Sequence, residues 1–313
     1  MYEEFFGLTE KPFSLTPNPR YVFYSEQYRA TLDQLIYGLG EREGFMLLTG
    51  MVGTGKTTLS RELLENLGSR KYRTALIFNP FLNGTELLET LLTEFGCTYT
   101  RGANKKELLE RLNRFLLSQL VEGRTCVAIF DEAQHLSSEF LEQIRVLSNL
   151  ETEHDKLLQI ILIGQPELLE KIQHPSLAQL DQRVSIRCTL RDLSRAETER
   201  YIYHRLNAAG AQGRIRFMPG AITRVQKEAQ GVPRLINLIC DRALLAAYVE
   251  RVAMVKTKHV VQGLKSLRGD APVKNTAPRI DSGRLKWKLA LPAAVLALAI
   301  AFGAAFWYSG WMK

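Results

Sequence analysis

The chain has 313 residues, of which 46% are apolar and 24% charged; this excludes disorder as a whole and leaves room for about two domains. Its net charge of +8 suggests a nucleic-acid partner until it is located: residues 271–313 hold six basic residues and one acid, which leaves +3 for the first 270 residues, so charge does not argue for DNA or RNA binding. Four cysteines (Cys97, Cys126, Cys188, Cys240) have no C-x-x-C spacing, which points to reduced core thiols in a reducing compartment and away from a metal site.

The N-terminal "MYEEFFGLTEKPFSL" places acids and a proline where a basic and then an apolar stretch would mark a secretory signal, so none is expected. The stretch "GFMLLTGMVGTGKTTLSRELLENL" follows. Its apolar run predicts a strand, Gly50-x-x-x-x-Gly55-Lys56-Thr57 a phosphate loop, and Leu59, Leu63, Leu64 and Leu67 one face of a helix. Glycines let consecutive backbone N–H groups curl around a polyphosphate, and the helix N-terminus adds partial positive charge. Gly50, Gly53, Thr54, Gly55, Lys56, Thr57 and Thr58 are the expected binding loop. Lys56 is expected to reach the β and γ phosphates, and the Thr57 hydroxyl to hold Mg²⁺. The alternative is a chance glycine-rich turn.

In "TCVAIFDEAQHLSSEFLEQIRVLSNLE" the apolar run from Cys126 to Phe130 is too short for a helix and predicts a buried parallel strand. Asp131 and Glu132 then fall at its C-terminal end, where open α/β sheets place ligands. Asp131 would join the Mg²⁺ shell and Glu132 would polarise the attacking water; the alternative is a solvated loop before a helix capped by Ser137 or Ser138. A further strand, "LLQIILIGQPEL", delivers Gln165 beside the carboxylates, either to sense a γ-phosphate and orient water or as an ordinary turn residue. "SLAQLDQRVSIRCTL" predicts a short helix, Arg183 and a strand. Arg183 either completes a neighbouring copy's site or is a surface arginine. From residue 191 three helical patterns predict a small all-helical domain, in which Gly231-Val232-Pro233-Arg234 starts the longest helix and Arg234 is placed to reach back to the nucleotide.

This order of motifs resembles the AAA+ ATPases. More narrowly, "FFGLTEKPFSLTPNP", "GTGKT", "DEAQ", "LSNLET", "LLQIILIGQPEL" and "GVPRLIN" resemble the general secretion pathway protein A family, which includes the ATPase of mannose-sensitive pilus biogenesis and ATPases found beside exosortase systems. The resemblance covers about residues 1–267. It implies an AAA+ nucleotide-binding α/β domain over 1–190 and a helical lid over 191–267, with ATP and Mg²⁺ as ligands and a homo-oligomer in which Arg183 acts in trans. By position it implies Lys56 and Thr57 on phosphate and Mg²⁺, Asp131 and Glu132 as metal and catalytic carboxylates, and Gln165, Arg183 and Arg234 as sensor 1, finger and sensor 2. "KPF" and "YVFYSEQYRATLDQLIYGL" would pack at the adenine or serve as core aromatics. Met51 stands where an acid is usual.

A basic linker (268–288) leads to Leu289–Tyr308, 20 residues without a charge, enough at 1.5 Å per residue to span a hydrocarbon core of about 30 Å. Trp287, Trp307, Tyr308 and Trp311 bracket the run, and Arg284, Lys286 and Lys288 precede it. The expectation is therefore a single-pass bacterial inner-membrane protein with a cytoplasmic ATPase and a five-residue periplasmic tail, 309–313. Ala293, Ala297, Ala301 and Ala305 form a small-residue stripe suited to helix association. The resemblance implies, for relatives in type II secretion, a periplasmic peptidoglycan-binding domain after the span, and none is expected in residues 1–313. The combined expectation is an ATP-hydrolysing AAA+ protein that supports assembly of an envelope secretion or pilus system. The alternatives are an ATPase of polysaccharide export, a nucleic-acid-directed ATPase of the transposition type, and a non-hydrolysing switch. The predicted span and the +3 body argue against nucleic acid.

Overall fold

The structure, a computed structural model, describes residues 2–68, 70–78, 83–153 and 155–269. Helix α1 (Tyr2–Phe6) and a 3-10 turn (Pro19–Tyr21) lead to α2 (Glu26–Gly40), which Ser25 caps by accepting the Tyr28 N–H. The α/β part runs β1 (Phe45–Gly50), α3 (Lys56–Asn66), β2 (Tyr72–Ile77), α4 (Gly84–Glu94), α5 (Lys105–Val121), β3 (Thr125–Phe130), α6 (Ser138–Leu147), β4 (Leu158–Gly164), α7 (Pro166–Ile172), α8 (Ala178–Asp181) and β5 (Val184–Leu190). After it come α9 (Arg195–Ala208), β6 (Arg216–Phe217), α10 (Pro219–Ala229), α11 (Pro233–Val249), β7 (Met254–Val255) and α12 (Thr257–Arg268).

The five long strands form one parallel sheet in the order β2-β3-β4-β1-β5, the α/β phosphate-loop architecture expected from the sequence. Strand position follows side-chain pattern. The interior strands β1 and β4 are buried along their whole length and β3 over all but its first residue, as continuous apolar runs covered on both faces require. The edge strand β5, Val-Ser-Ile-Arg-Cys-Thr-Leu, alternates and buries every second residue. On one face Phe45, Leu47, Ala128, Phe130, Ile160 and Leu162 pack with α4–α8. On the other, Met46, Leu48, Val127, Ile129, Ile161 and Ile163 pack with α2 and α3. Because β4 pairs in parallel with both β1 and β3, the chain leaves Gly50, Phe130 and Gly164 at one edge of the sheet.

A separate core joins α9–α12 to the N-terminal segment. Tyr2, Phe6, Phe13 and Tyr21 bury their rings with Ile202, Leu206, Phe217, Ile236 and Leu244. Short parallel pairing of β6 with β7 closes this helical layer.

The expectation of a single-pass inner-membrane protein is corrected. Among the described residues no helix is long and apolar enough to cross a membrane. The longest, α5 and α11, have 17 residues each; α5 begins with Lys-Lys-Glu, and α11 carries Arg234, Asp241 and Arg242 and packs against α12, whereas a span needs about 20 apolar residues. The run 289–308 with its alanine stripe, the tail 309–313 and the linker from 270 onward lie outside the described residues.

Candidate functional site

The phosphate loop is built by backbone geometry. Leaving β1, the chain reverses through Gly53 (φ 84°) and Gly55 (φ 104°), left-handed backbone that glycine adopts without strain. Gly50 is required for a different reason: a Cβ there would stand 2.7 Å from the Leu190 carbonyl oxygen. Thr54 Oγ1 closes the loop by donating to Met51 O at 2.9 Å. Lys56 opens α3 with its side chain buried, and its Nζ donates to Gly50 O (2.7 Å) and Met51 O (3.0 Å). Burial lowers its pKa, and the charges of Glu132, Asp131 and Glu167 oppose that shift. A buried ammonium held by neutral carbonyls is a point where an anion gains strongly.

Thr57, the next residue, donates from Oγ1 to Asp131 Oδ2 at 2.9 Å. Asp131 is buried at the end of β3, and its Oδ1 accepts the Glu132 N–H at 2.9 Å. Burial pushes its carboxyl up, while Thr57 and the Glu132 N–H hold it down. Two hard oxygens from different elements meeting at one point suit Mg²⁺, which takes one or two protein oxygens and fills its octahedron with waters and phosphate. No group of three or more His, Cys, Asp or Glu able to hold a metal occurs among the described residues.

Glu132 has left-handed backbone (φ 55°, ψ 33°). Its Oε2 accepts from Gln134 Nε2 at 2.6 Å, and Gln134 Oε1 accepts the Gln165 N–H at 3.1 Å. One amide therefore ties the carboxylate to the turn after β4. Gly164 makes room for it, since a Cβ there would lie 2.9 Å from Gln134 Oε1. Lys171 Nζ pins the 3-10 turn Ala133–His135 that carries Gln134 by donating to Gln134 O (2.7 Å) and Leu136 O (2.8 Å).

The helical layer completes the site. Arg234 donates its backbone N–H to Gly53 O at 3.3 Å, and a Cβ on Gly53 would lie 2.8 Å from Arg234 Cβ and 3.1 Å from Val232 Cγ1. The start of α11 therefore rests on the tip of the phosphate loop. Between the sheet edge and this layer lies a cleft of about 430 Å³, lined by Gly53, Thr54, Gly55, Lys56, Thr57, Thr58, Glu132, Gln165 and Arg234. The same cleft is also lined by Tyr21, Tyr28, Tyr201, Arg205 and Asn237.

Arg183 stands elsewhere. It follows α8, and its Nη1 donates to Arg145 O (3.4 Å), Ser148 Oγ (2.8 Å) and Asn149 Oδ1 at the C-terminal end of α6. It does not line the cleft. Gln134 and Asn237 stand in the motifs "DEAQ" and "GVPRLIN", yet their contacts are not readable from spacing. Arg205 had no sequence signal: the carbonyls it holds, Pro12 O and Ser14 O, are nearly two hundred residues away.

A family model described as an AAA domain matches residues 39–172. Over 248 residues the chain is 47% identical to general secretion pathway protein A of Aeromonas hydrophila, covering 79% of this chain and 45% of that protein. The chain thus spans about half the length of the curated relative it matches. Among solved structures it is similar to Cdc6p from Pyrobaculum aerophilum (19% identity, TM-score 0.63, 82% of this chain and 70% of that one). It is also similar to the ORC2 protein of Aeropyrum pernix in its ADPNP–ADP complexes (15% identity, TM-score 0.60, 82% and 71%). At those identities the likeness is one of fold.

Proposed function

The chain belongs to the AAA+ ATPases related to general secretion pathway protein A, and from that premise we propose that it binds and hydrolyses ATP in the cleft between sheet and helical layer. The observation that carries the reading is convergence. Lys56 and Thr57 from the phosphate loop, Glu132 from the end of β3, Gln165 from the end of β4 and Arg234 from α11 all line one cleft, with Asp131 directly behind Thr57. In this reading the Lys56 ammonium exchanges the Gly50 and Met51 carbonyls for β- and γ-phosphate oxygens, a better partner for a buried cation. Thr57 and Asp131 would hold Mg²⁺, which would supply charge neutralisation at the phosphates.

Glu132 takes a proton from the attacking water as the water oxygen bonds to the γ-phosphorus, and the bond to the β–γ bridging oxygen breaks to leave ADP and phosphate. Gln165 orients that water or the γ-phosphate. Arg234 couples phosphate occupancy to the seating of α11 on the loop. Arg183, turned away from the cleft of its own chain, serves the site of a second copy. The name of the Aeromonas hydrophila relative supports a place for this cycle in the assembly of an envelope export system of the general secretion type.

The test compares nucleotide binding and turnover in the wild type, Lys56→Ala and Glu132→Gln. Lys56→Ala is expected to lose ATP binding. Glu132→Gln is expected to keep ATP affinity while turnover falls about a hundredfold or more. Equal turnover in Glu132→Gln would remove the catalytic assignment, and a wild type that binds ATP without releasing ADP would favour a nucleotide switch.

A further inference from the structure

The cleft is also lined by polar groups that the phosphate chemistry leaves unused. Arg205 is buried, its guanidinium 4.6 Å from the Tyr21 ring centre and 5.8 Å from that of Tyr201. It donates to Pro12 O, to Ser14 O (2.9 Å) and to the Tyr201 hydroxyl (3.1 Å). Tyr201 in turn bonds Asn237 Oδ1 at 3.0 Å.

The direction of this chain is fixed by chemistry. A guanidinium can only donate, so the Tyr201 oxygen accepts and its own hydrogen is directed to Asn237. The atom receiving it must be the amide oxygen. Asn237 Nδ2 is therefore turned the other way, as a donor, and has no partner among the described residues, although the residue is only 5% exposed and lines the cleft. Two more hydroxyls lining the same cleft, Tyr21 and Tyr28, are buried without a partner, and burial pushes both phenols up, which keeps them neutral. Native interiors leave few buried polar groups unpaired, and two such hydroxyls lining the same cavity as an unpartnered amide donor mark the place of a polar ligand.

We propose that Asn237 Nδ2, oriented by the Arg205–Tyr201 relay, donates to an acceptor on the nucleoside of the bound nucleotide and makes the cleft select nucleotides over bare polyphosphate. This rests on the nucleotide reading of the site. The acceptor is either a ring nitrogen of the base or a ribose hydroxyl, since both present a lone pair to an amide donor. Because Arg205 also holds Pro12 and Ser14, the residue that reads the nucleoside is linked through two side chains, Tyr201 and Arg205, to the N-terminal segment.

The experiment measures dissociation constants of the full chain for ATP, 2′-deoxy-ATP and inorganic tripolyphosphate. Asn237→Ala is expected to weaken ATP about tenfold and to leave tripolyphosphate unchanged. Asn237→Asp has the same shape, still accepts the Tyr201 hydrogen and is expected to fold, but it sets an acceptor against an acceptor and should weaken ATP at least as much. With 2′-deoxy-ATP, persistence of the Asn237→Ala penalty assigns the acceptor to the base or another ribose oxygen, and its disappearance assigns it to the 2′-hydroxyl; either supports the inference. Wild-type ATP affinity in Asn237→Asp, or equal losses for ATP and tripolyphosphate in both variants, would overturn it while leaving the nucleotide site in place. A wild type that binds neither ligand would overturn the nucleotide reading itself.

Discussion

Glu132 occupies left-handed backbone, a conformation that costs a non-glycine residue about 1–3 kcal/mol and persists where its surroundings impose it. The Gln134 amide is the visible restraint, gripping the carboxylate with one end and the Gln165 N–H with the other. Gln134→Ala is expected to lower kcat about tenfold or more with ATP affinity unchanged, because Glu132 loses its orientation while the phosphate contacts remain. In a Glu132→Gln background the same change is expected to have little further effect, as a double-mutant cycle on coupled residues requires; additive losses would separate Gln134 from Glu132. The placement of Lys56, Thr57, Asp131 and Glu132 was legible in the sequence because it follows from local backbone: a glycine loop entering a helix, and a buried strand ending in two acids. Gln134 was not, since its two partners meet only when β3 and β4 pair. Arg183 was legible as an arginine before the last strand. Its anchorage on α6 depends on tertiary packing that no spacing encodes.

The joint between sheet and helical layer depends on Gly231. Its φ is 84°, a Cβ there would lie 2.1 Å from the Leu193 carbonyl oxygen, and the Leu193 N–H donates to Gly231 O at 2.9 Å. Gly231→Ala is expected to destabilise the protein by more than about 1 kcal/mol, whereas Gly213→Ala, with a similar φ of 75° but open space at its Cβ, should cost less; thermal melts of the two variants check the contrast. Beyond α11, Glu250 accepts from Lys258 and lies 3.2 Å from His259 Nε2, and these partners hold its carboxyl below the ordinary 4.5. A depressed carboxyl pKa contributes stability that is present above the ordinary value and lost as the pH falls through the depressed one. Glu250→Gln is therefore expected to melt earlier than the wild type at pH 7, with the gap closing below pH 4.5. At this scale β1, β3 and β4 were legible from apolar runs and α3 from its leucine spacing. The N-terminal segment was less so, because its aromatics follow no period and find their partners in α9 and α11. Two-residue strands such as β6 and β7 are too short to leave a pattern.

Over the whole chain, charge is divided unevenly. Residues 1–190 hold 25 acids and 20 basic residues, and residues 191–270 hold 15 basic residues and 7 acids. The small net charge of the body conceals an acidic sheet part and a basic helical part, an arrangement that favours head-to-tail contact between copies. Turnover per chain is accordingly expected to rise with chain concentration and to fall at high salt, as measured by steady-state ADP release. Hydropathy of the C-terminal run predicted an inner-membrane protein, and the described helices, which are too short or carry charges along their length, do not support that placement. The central claim, ATP hydrolysis completed between copies, is tested most directly by mixing two silent chains. Lys56→Ala keeps Arg183 but lacks the phosphate grip, and Arg183→Ala keeps the grip but lacks the arginine. Each should release little ADP by itself, and the mixture should recover a substantial fraction of wild-type turnover. An Arg183→Ala chain as active as the wild type, or a mixture as silent as its parts, would contradict the account.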